Sequence, residues 1–268
     1  MSGRHLLLGI GLLLAGWGLL LAQKPFKQYD ITIEHNNFPL PDDYDKPTEW
    51  VFARLKYRDD ARFLNGDNYY WTMDYPQGDR HLAIGIRRLT SVDIRSVEQV
   101  TELDGTDDIY NWPFLYAVEV GHWDFTTEQA DQLHDYLLRG GFLMVDDFHG
   151  EAEWNQFTYN MSLVFPDRPI VELEQEDTVF HTVSDVDRLI QIPSAQYLNT
   201  KLTYERIDGF PAHWRAVRDD KQRVMVAINH NMDLGDAIEW SDDPRYPEEF
   251  ASAAYRVVTN YVVYNLTH

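Results

Sequence analysis

Asp146, Asp147 and His149 fall together at the end of one short segment. Gly140 and Gly141 close an element, Phe142 to Val145 are apolar, and the polar groups follow at once, just before Gly150. This is the pattern of a buried parallel strand that delivers polar side chains to the carboxyl edge of an α/β sheet, where open sheets bind ligands. Two adjacent carboxylates at a buried strand end repel each other. They need a cation, a proton or several backbone donors. Carboxylates suit Ca²⁺ or Mg²⁺, and imidazole shifts the preference towards Zn²⁺. The same pair can also divide general-acid and general-base work in a hydrolase. Asp146, Asp147 and His149 are therefore the catalytic candidates. Asp146, Asp147 and Asp233, with His149 as a further donor, are the candidates for a divalent cation.

Three other strand ends carry polar clusters. They are Arg58, Asp59 and Asp60; Glu119, His122 and Asp124; and the run Asn229, Asn231, Asp233 and Asp236. Parallel strands would bring these clusters to one edge, but the direction of the strand at 223–228 is open from sequence. Gly235 within the last run suggests an unusual backbone angle. The candidate ligand-binding groups are Asp59, His122, Asn229, Asn231, Asp233 and Asp236, joined by Tyr70 and Trp71 from an aromatic loop at 61–79. Those rings can stack on a sugar, or they can simply pack a long loop onto the domain. Loop polarity and helix capping also account for Asp and Asn at strand ends. Arg215 and Arg218 are available to balance the carboxylates.

The elements that position these groups alternate. Residues 51–57 read as a strand. Leu82, Ile86 and Leu89 mark a helix over 80–90, with Asp79 as its N-cap. A short strand is expected near 92–97 and an apolar strand at 114–120. Thr126 and Gln129 form a capping box for a helix over 126–139. A strand over 142–145, a helix over 151–164 and a strand over 170–173 follow, and 174–200 gives no clear pattern. The runs 214–218 and 223–228 flank a turn and read as a hairpin. A last helix covers 247–265, with Pro247, Glu248 and Glu249 suited to its first turn. The expected fold is a three-layer α/β/α domain over 50–268 with a mostly parallel sheet and an antiparallel edge.

The chain of 268 residues fits one large domain. Its net charge of −21, from 44 acids against 23 bases, repels nucleic acid. Leu6 to Ala22 form an apolar run of about 17 residues, the lower limit for crossing a bilayer. Residues 1–22 are expected to be a signal peptide or an uncleaved anchor, and either places the rest outside the cytoplasm, periplasmic or otherwise exported. Residues 23–49, with four prolines, read as an extended linker. There is no cysteine, which excludes disulfides and thiol catalysis.

Several stretches resemble the DUF4159 family: Asn68 to Trp71 with Asp74, Tyr75 and Pro76; Gly140 to Phe148; His213 to Arg215; and, most closely, Asn229 to Ala237. The resemblance covers roughly 50–268. It implies a flavodoxin-like fold of the class I glutamine amidotransferase-like kind, in proteins that are exported or membrane-associated. It implies no established activity. Amidotransferases carry a cysteine nucleophile on the turn after a strand, and here Asp146 or Asp147 stands in that place. Thiol-dependent glutamine hydrolysis is excluded. The expected function is a non-catalytic binding or assembly module with a protein partner near the membrane. The alternative is a carboxylate- or metal-dependent hydrolase with a small-molecule or carbohydrate ligand.

Overall fold

The computed structural model describes residues 24–29, 40–59 and 70–268. The expected leader and the first part of the aromatic loop lie outside them. Among the described residues no helix is long and apolar enough to cross a membrane. Residues 24–29 of the expected linker lie against the domain: the Lys24 amide donates to Asp108, and the Tyr29 ring meets Trp71 edge-on at 5.3 Å.

Seven strands make one sheet. They are β1 (Ala53–Lys56), β2 (Gln99–Glu102), β3 (Phe114–Val118), β4 (Phe142–Asp146), β5 (Ile170–Glu172), β6 (His213–Arg218) and β7 (Val224–His230). Their order is β2-β1-β3-β4-β7-β6-β5, with β2, β1, β3, β4 and β7 mutually parallel and the β7–β6 and β6–β5 pairings antiparallel. Counting only the five parallel strands, the order is 2-1-3-4-5, that of flavodoxin-like doubly wound sheets. The helices are α1 (Gln77–Leu89), α2 (Thr127–Leu138), α3 (Gly150–Val164), α4 (Tyr197–Thr200), α5 (Leu234–Glu239) and α6 (Glu248–Thr267).

Strand alternation sends side chains to opposite layers. Phe114, Tyr116, Val118, Phe142 and Met144 pack towards α1, α5 and α6. Leu115, Ala117, Leu143 and Val145 pack towards α2 and α3. Val118 pairs with Asp146, and Val145 with Ile228, so β3, β4 and β7 end at one level. The three-layer α/β/α fold with its antiparallel edge is the expected one, and the Thr126–Gln129 capping box forms as read.

Two local readings change. The strand expected near 92–97 is β2 at Gln99–Glu102, with only a single bridge from Ile94 to Trp50. The Arg95 guanidinium donates to the carbonyls of Val97 and Glu98, and this curls the chain where an extended segment was expected. Asp79 does not cap α1, since Pro76 occupies that position. Asp79 lies one turn further in, buried against Arg54.

Arg54 lies in β1, one strand in from the β2 edge of the sheet, and is 1% exposed. Its Nε and Nη2 donate to both oxygens of Asp79 at 2.5–3.2 Å. Its Nη1 donates to the carbonyls of Trp71 and Met73 at 3.0 and 2.8 Å. Tyr116 covers its plane at 4.9 Å. The guanidinium therefore ties β1, α1 and the 70–76 loop together. Removing one member of a buried pair strands the other charge, at a cost of about 3–5 kcal/mol. Arg54→Met is expected to lower the unfolding free energy by about that amount in urea denaturation, and the double change Arg54→Met, Asp79→Leu to recover part of it. A loss below about 1 kcal/mol in the single variant contradicts the role given to this pair.

Candidate functional site

The three parallel strands β3, β4 and β7 all end on the same device. The residue after each strand, Glu119, Asp147 and Asn231, has a positive φ of 53°, 52° and 64°. Asp74 in the 70–76 loop shares this conformation at 61°. Asn and Asp tolerate the left-handed region through local hydrogen bonds, but Glu does so rarely. Such residues persist only where their surroundings fix them, and they gather at functional sites. The reversals turn the chain at the carboxyl edge and gather acids outside the strand ends, the place where open α/β sheets form their binding crevice.

Asp146 ends β4, wholly buried, on the face towards α5. Its Oδ2 accepts from the amides of Leu234 and Gly235 at 2.7 and 2.9 Å, while its Oδ1 has no hydrogen-bond partner. Burial pushes its carboxyl up to about 7 in spite of those donors. Asp147 points the other way. Its Oδ1 lies 3.0 Å from His149 Nε2, and the exposed Glu205 reaches within 4.0 Å of the same nitrogen. Burial, and then the charges of Glu119 and Glu205, hold Asp147 well above the usual carboxylate range. His149 precedes α3 and donates its backbone amide to Glu153 at 2.6 Å. Burial lowers its imidazole against the pull of Glu205 and Glu153, which favours the neutral ring.

On the β1 and β3 side, His122 lies in the turn Val120–His122. Its Nδ1 is 3.1 Å from Glu119, and the Tyr70 ring stacks on it at 3.8 Å and 5°. Burial alone would lower this imidazole, but Glu119 overrides burial and raises it. Glu153 is 4.0 Å from His122 Nε2 and bonds Arg206 at 2.5 Å. Asp59 is buried beside this group, bridged to Trp123, and burial pushes it up to about 6.

The last cluster of acids comes from loops that meet at α5. Asp233 caps that helix, accepting from the Asp236 amide at 2.7 Å. Asp236 accepts from the Ala195 amide at 2.7 Å. Asp74, Asp236 and Glu239 each bring an oxygen within 4.8 Å of the other two, as Asp147, His149 and Glu205 do with their own ligand atoms. Burial and then Asp236 push Glu239 up to about 7, and burial with neighbouring carboxylates holds Asp74 and Asp233 far higher than usual.

Some sequence candidates serve other ends. Asn229 lies in β7 on the face towards α6 and accepts from the Tyr261 hydroxyl at 3.2 Å, so it does not enter the crevice. Asn231 satisfies backbone groups, accepting from the Gly150 amide and donating to the Pro211 carbonyl. Trp71 is 3% exposed in the core. Arg215 pairs with Glu172 and covers Trp154, and Arg218 pairs with Asp177, so neither balances the crevice. Sequence reasoning passed over Asp74, Glu205 and Glu239 as site groups. Asp74 belongs to a stretch that resembles the family, whereas Glu205 and Glu239 carry no local signal.

The raised carboxyls have a consequence for stability. Unfolded carboxyls titrate near about 4. The native state keeps protons on Asp59 up to about 6 and on Asp146 and Glu239 up to about 7. Their contribution to stability is complete below about pH 4 and is lost as pH rises through about 6 to 7. In EDTA, the melting midpoint is therefore expected to fall between pH 5 and pH 8, with a shallower fall in Asp146→Asn. A midpoint that stays level or climbs over that interval contradicts this assignment.

A family model described as "Domain of unknown function (DUF4159)" matches residues 51–266. A comparison with curated proteins returns no match. The match spans the sheet, both helical layers and every crevice residue described above, and the chain belongs to the DUF4159 family.

Proposed function

We propose that this chain is a membrane-tethered, extracytoplasmic binding module that holds a divalent cation on Asp147, His149 and Glu205 and presents it to a ligand or partner protein. One observation carries the reading. Two buried groups on a reversed strand end and one exposed carboxylate at the lip bring three donor atoms within 4.8 Å of one another. A neutral imidazole with two carboxylates suits Zn²⁺ or Mn²⁺. The chain has no cysteine, so the place where an amidotransferase-like scaffold would hold its thiol offers a carboxylate pair and a cation site in its stead. The apolar run at Leu6 to Ala22 supports tethering. The acidic surface supports a basic or cationic partner over nucleic acid.

A metal-dependent hydrolase is the second reading, favoured by the ligand count. Three protein ligands leave a coordination position for water, the arrangement of catalytic zinc sites. A cation there supplies Lewis acidity and a bound water of lowered pKa. Asp147 and His149 would hold it, and the substrate would enter past Glu205. A carbohydrate substrate has no stacking face at Trp71, which is buried.

The test begins with EDTA-treated protein melted with added Zn²⁺ or Mn²⁺. Saturation at about 100 times Kd adds about 2.7 kcal/mol, an upward shift of a few degrees. His149→Ala is expected to lose that shift. A wild-type midpoint indifferent to both metals defeats the cation reading. The loaded wild type and Asp147→Asn are then compared on chromogenic esters, phosphates and glycosides. Turnover confined to the wild type selects the hydrolase, and no turnover on any substrate rejects it.

A further inference from the structure

Carboxylate oxygens gather behind α5, and some of the oxygen atoms there meet no donor in the protein. Asp74, Asp236 and Glu239 place three carboxylate oxygens within 4.8 Å of one another. The span of two ligands across a Ca²⁺ ion is similar, at about 2.3–2.6 Å on each side. The Asp74 Oδ2, the Tyr116 hydroxyl and the Asp146 Oδ1 are buried there without a hydrogen-bond partner. Tyr116 is 3% exposed and Asp146 wholly buried, so water does not solvate these atoms from outside. Asp74 and Tyr116 converge on Gly235. A Cβ at 235 would overlap the Asp74 carboxylate and stand 2.6 Å from the Tyr116 oxygen. Gly235 is thus what keeps the space open. A cavity of about 20 Å³, room for one water-sized body, lies beside the cluster: Asp74, Tyr116 and Gly235 line it together with Arg54, Asp79 and apolar side chains, while Asp236 and Glu239 lie outside its lining. Arg54 directs its hydrogen bonds to Asp79 and two carbonyls, so only its charge, which pulls Asp74 and Glu239 down against burial, reaches the group.

We infer that a hard divalent cation, Ca²⁺ or Mg²⁺, binds on Asp74, Asp236 and Glu239 with the Tyr116 hydroxyl at its back. Every donor is oxygen, which disfavours Zn²⁺ and Cu²⁺. The site shares no ligand with Asp147, His149 and Glu205, and it stands whether or not that site holds a metal. Its ligands come from the loop after β1 and from the two ends of α5. The cation therefore fastens the 70–76 loop to α5 and fixes one wall of the crevice.

The experiment uses the full chain stripped with EDTA and titrated calorimetrically with CaCl₂ and with MgCl₂ at pH 7.5, in two buffers of different ionisation heat. Wild type is expected to bind one cation of either kind with release of protons. Glu239→Gln is expected to weaken binding at least about tenfold, since affinity follows ligand charge. Tyr116→Phe keeps the ring in the core and is expected to weaken binding about tenfold. His149→Ala is expected to bind as wild type does. Circular dichroism checks that each variant is folded, and Tyr116→Phe decides the matter if Glu239→Gln is not. Absence of binding by wild type overturns the inference and leaves protons as the sole neutralising species. Wild-type affinity in both Glu239→Gln and Tyr116→Phe overturns it as well. Loss of binding in His149→Ala alone assigns the cation to the crevice mouth, which overturns this inference and upholds the other reading. Failure of Zn²⁺ or Mn²⁺ to bind at His149 leaves this one intact.

Discussion

A single buried guanidinium organises the functional end of this molecule. Arg54 stands in β1 where an apolar residue would ordinarily pack, and it is fully desolvated. Such a charge is tolerable only if its donors are met, and they are met by Asp79 of α1 and by the carbonyls of Trp71 and Met73. Satisfying one side chain thus forces a helix and a loop into fixed places over the sheet. Asp74 follows Met73 directly, so the bonds that anchor the loop also set that carboxylate against Tyr116 and Gly235. Hydrophobic contacts alone would hold α1 to the sheet without fixing the loop, because they have no direction.

The crevice carries a conflict that its own residues do not resolve. Asp146, Asp147 and Asp233 are buried with Asp74 and Asp236 half-buried beside them, and burial raises each carboxyl with its neighbours raising it further. Some of the charge is spent on local structure: Asp146 and Asp233 satisfy the amides that open α5. The remaining carboxylates have more oxygens than donors. Low dielectric makes like charges expensive at short range, so protons or cations must complete the site. The reversed backbone after β3, β4 and β7 holds the acids there in spite of this repulsion. A packed α/β scaffold can bear such local strain because its stability resides in the two apolar layers beside the sheet.

Local pattern made much of the fold legible. Glycine pairs, apolar runs and the Thr126–Gln129 box marked β4 and α2 within a residue or so, because strand and helix periods are properties of neighbouring residues. The reading slipped where a distant partner overrode local preference. Asp79 looks like a cap by type and position, yet Arg54 draws it into the core. The 92–97 segment looks extended, yet Arg95 folds it onto its own carbonyls. Asn229 and Asn231 sit in one short run, and strand alternation with the turn after β7 sends them to different tasks.

The sequence by itself determined that polar groups would gather at the carboxyl edge of a mostly parallel sheet, and that no thiol would work there. Both conclusions depend only on residue type and short-range order. Tertiary structure alone decided which acids meet. Asp147 and His149 are neighbours in the chain, but Glu205 joins them from the connection between α4 and β6. Asp74 reaches Asp236 and Glu239 from the opposite half of the chain. Coulomb interaction and desolvation depend on distance through space and on what excludes water. Neither quantity exists until the chain has folded.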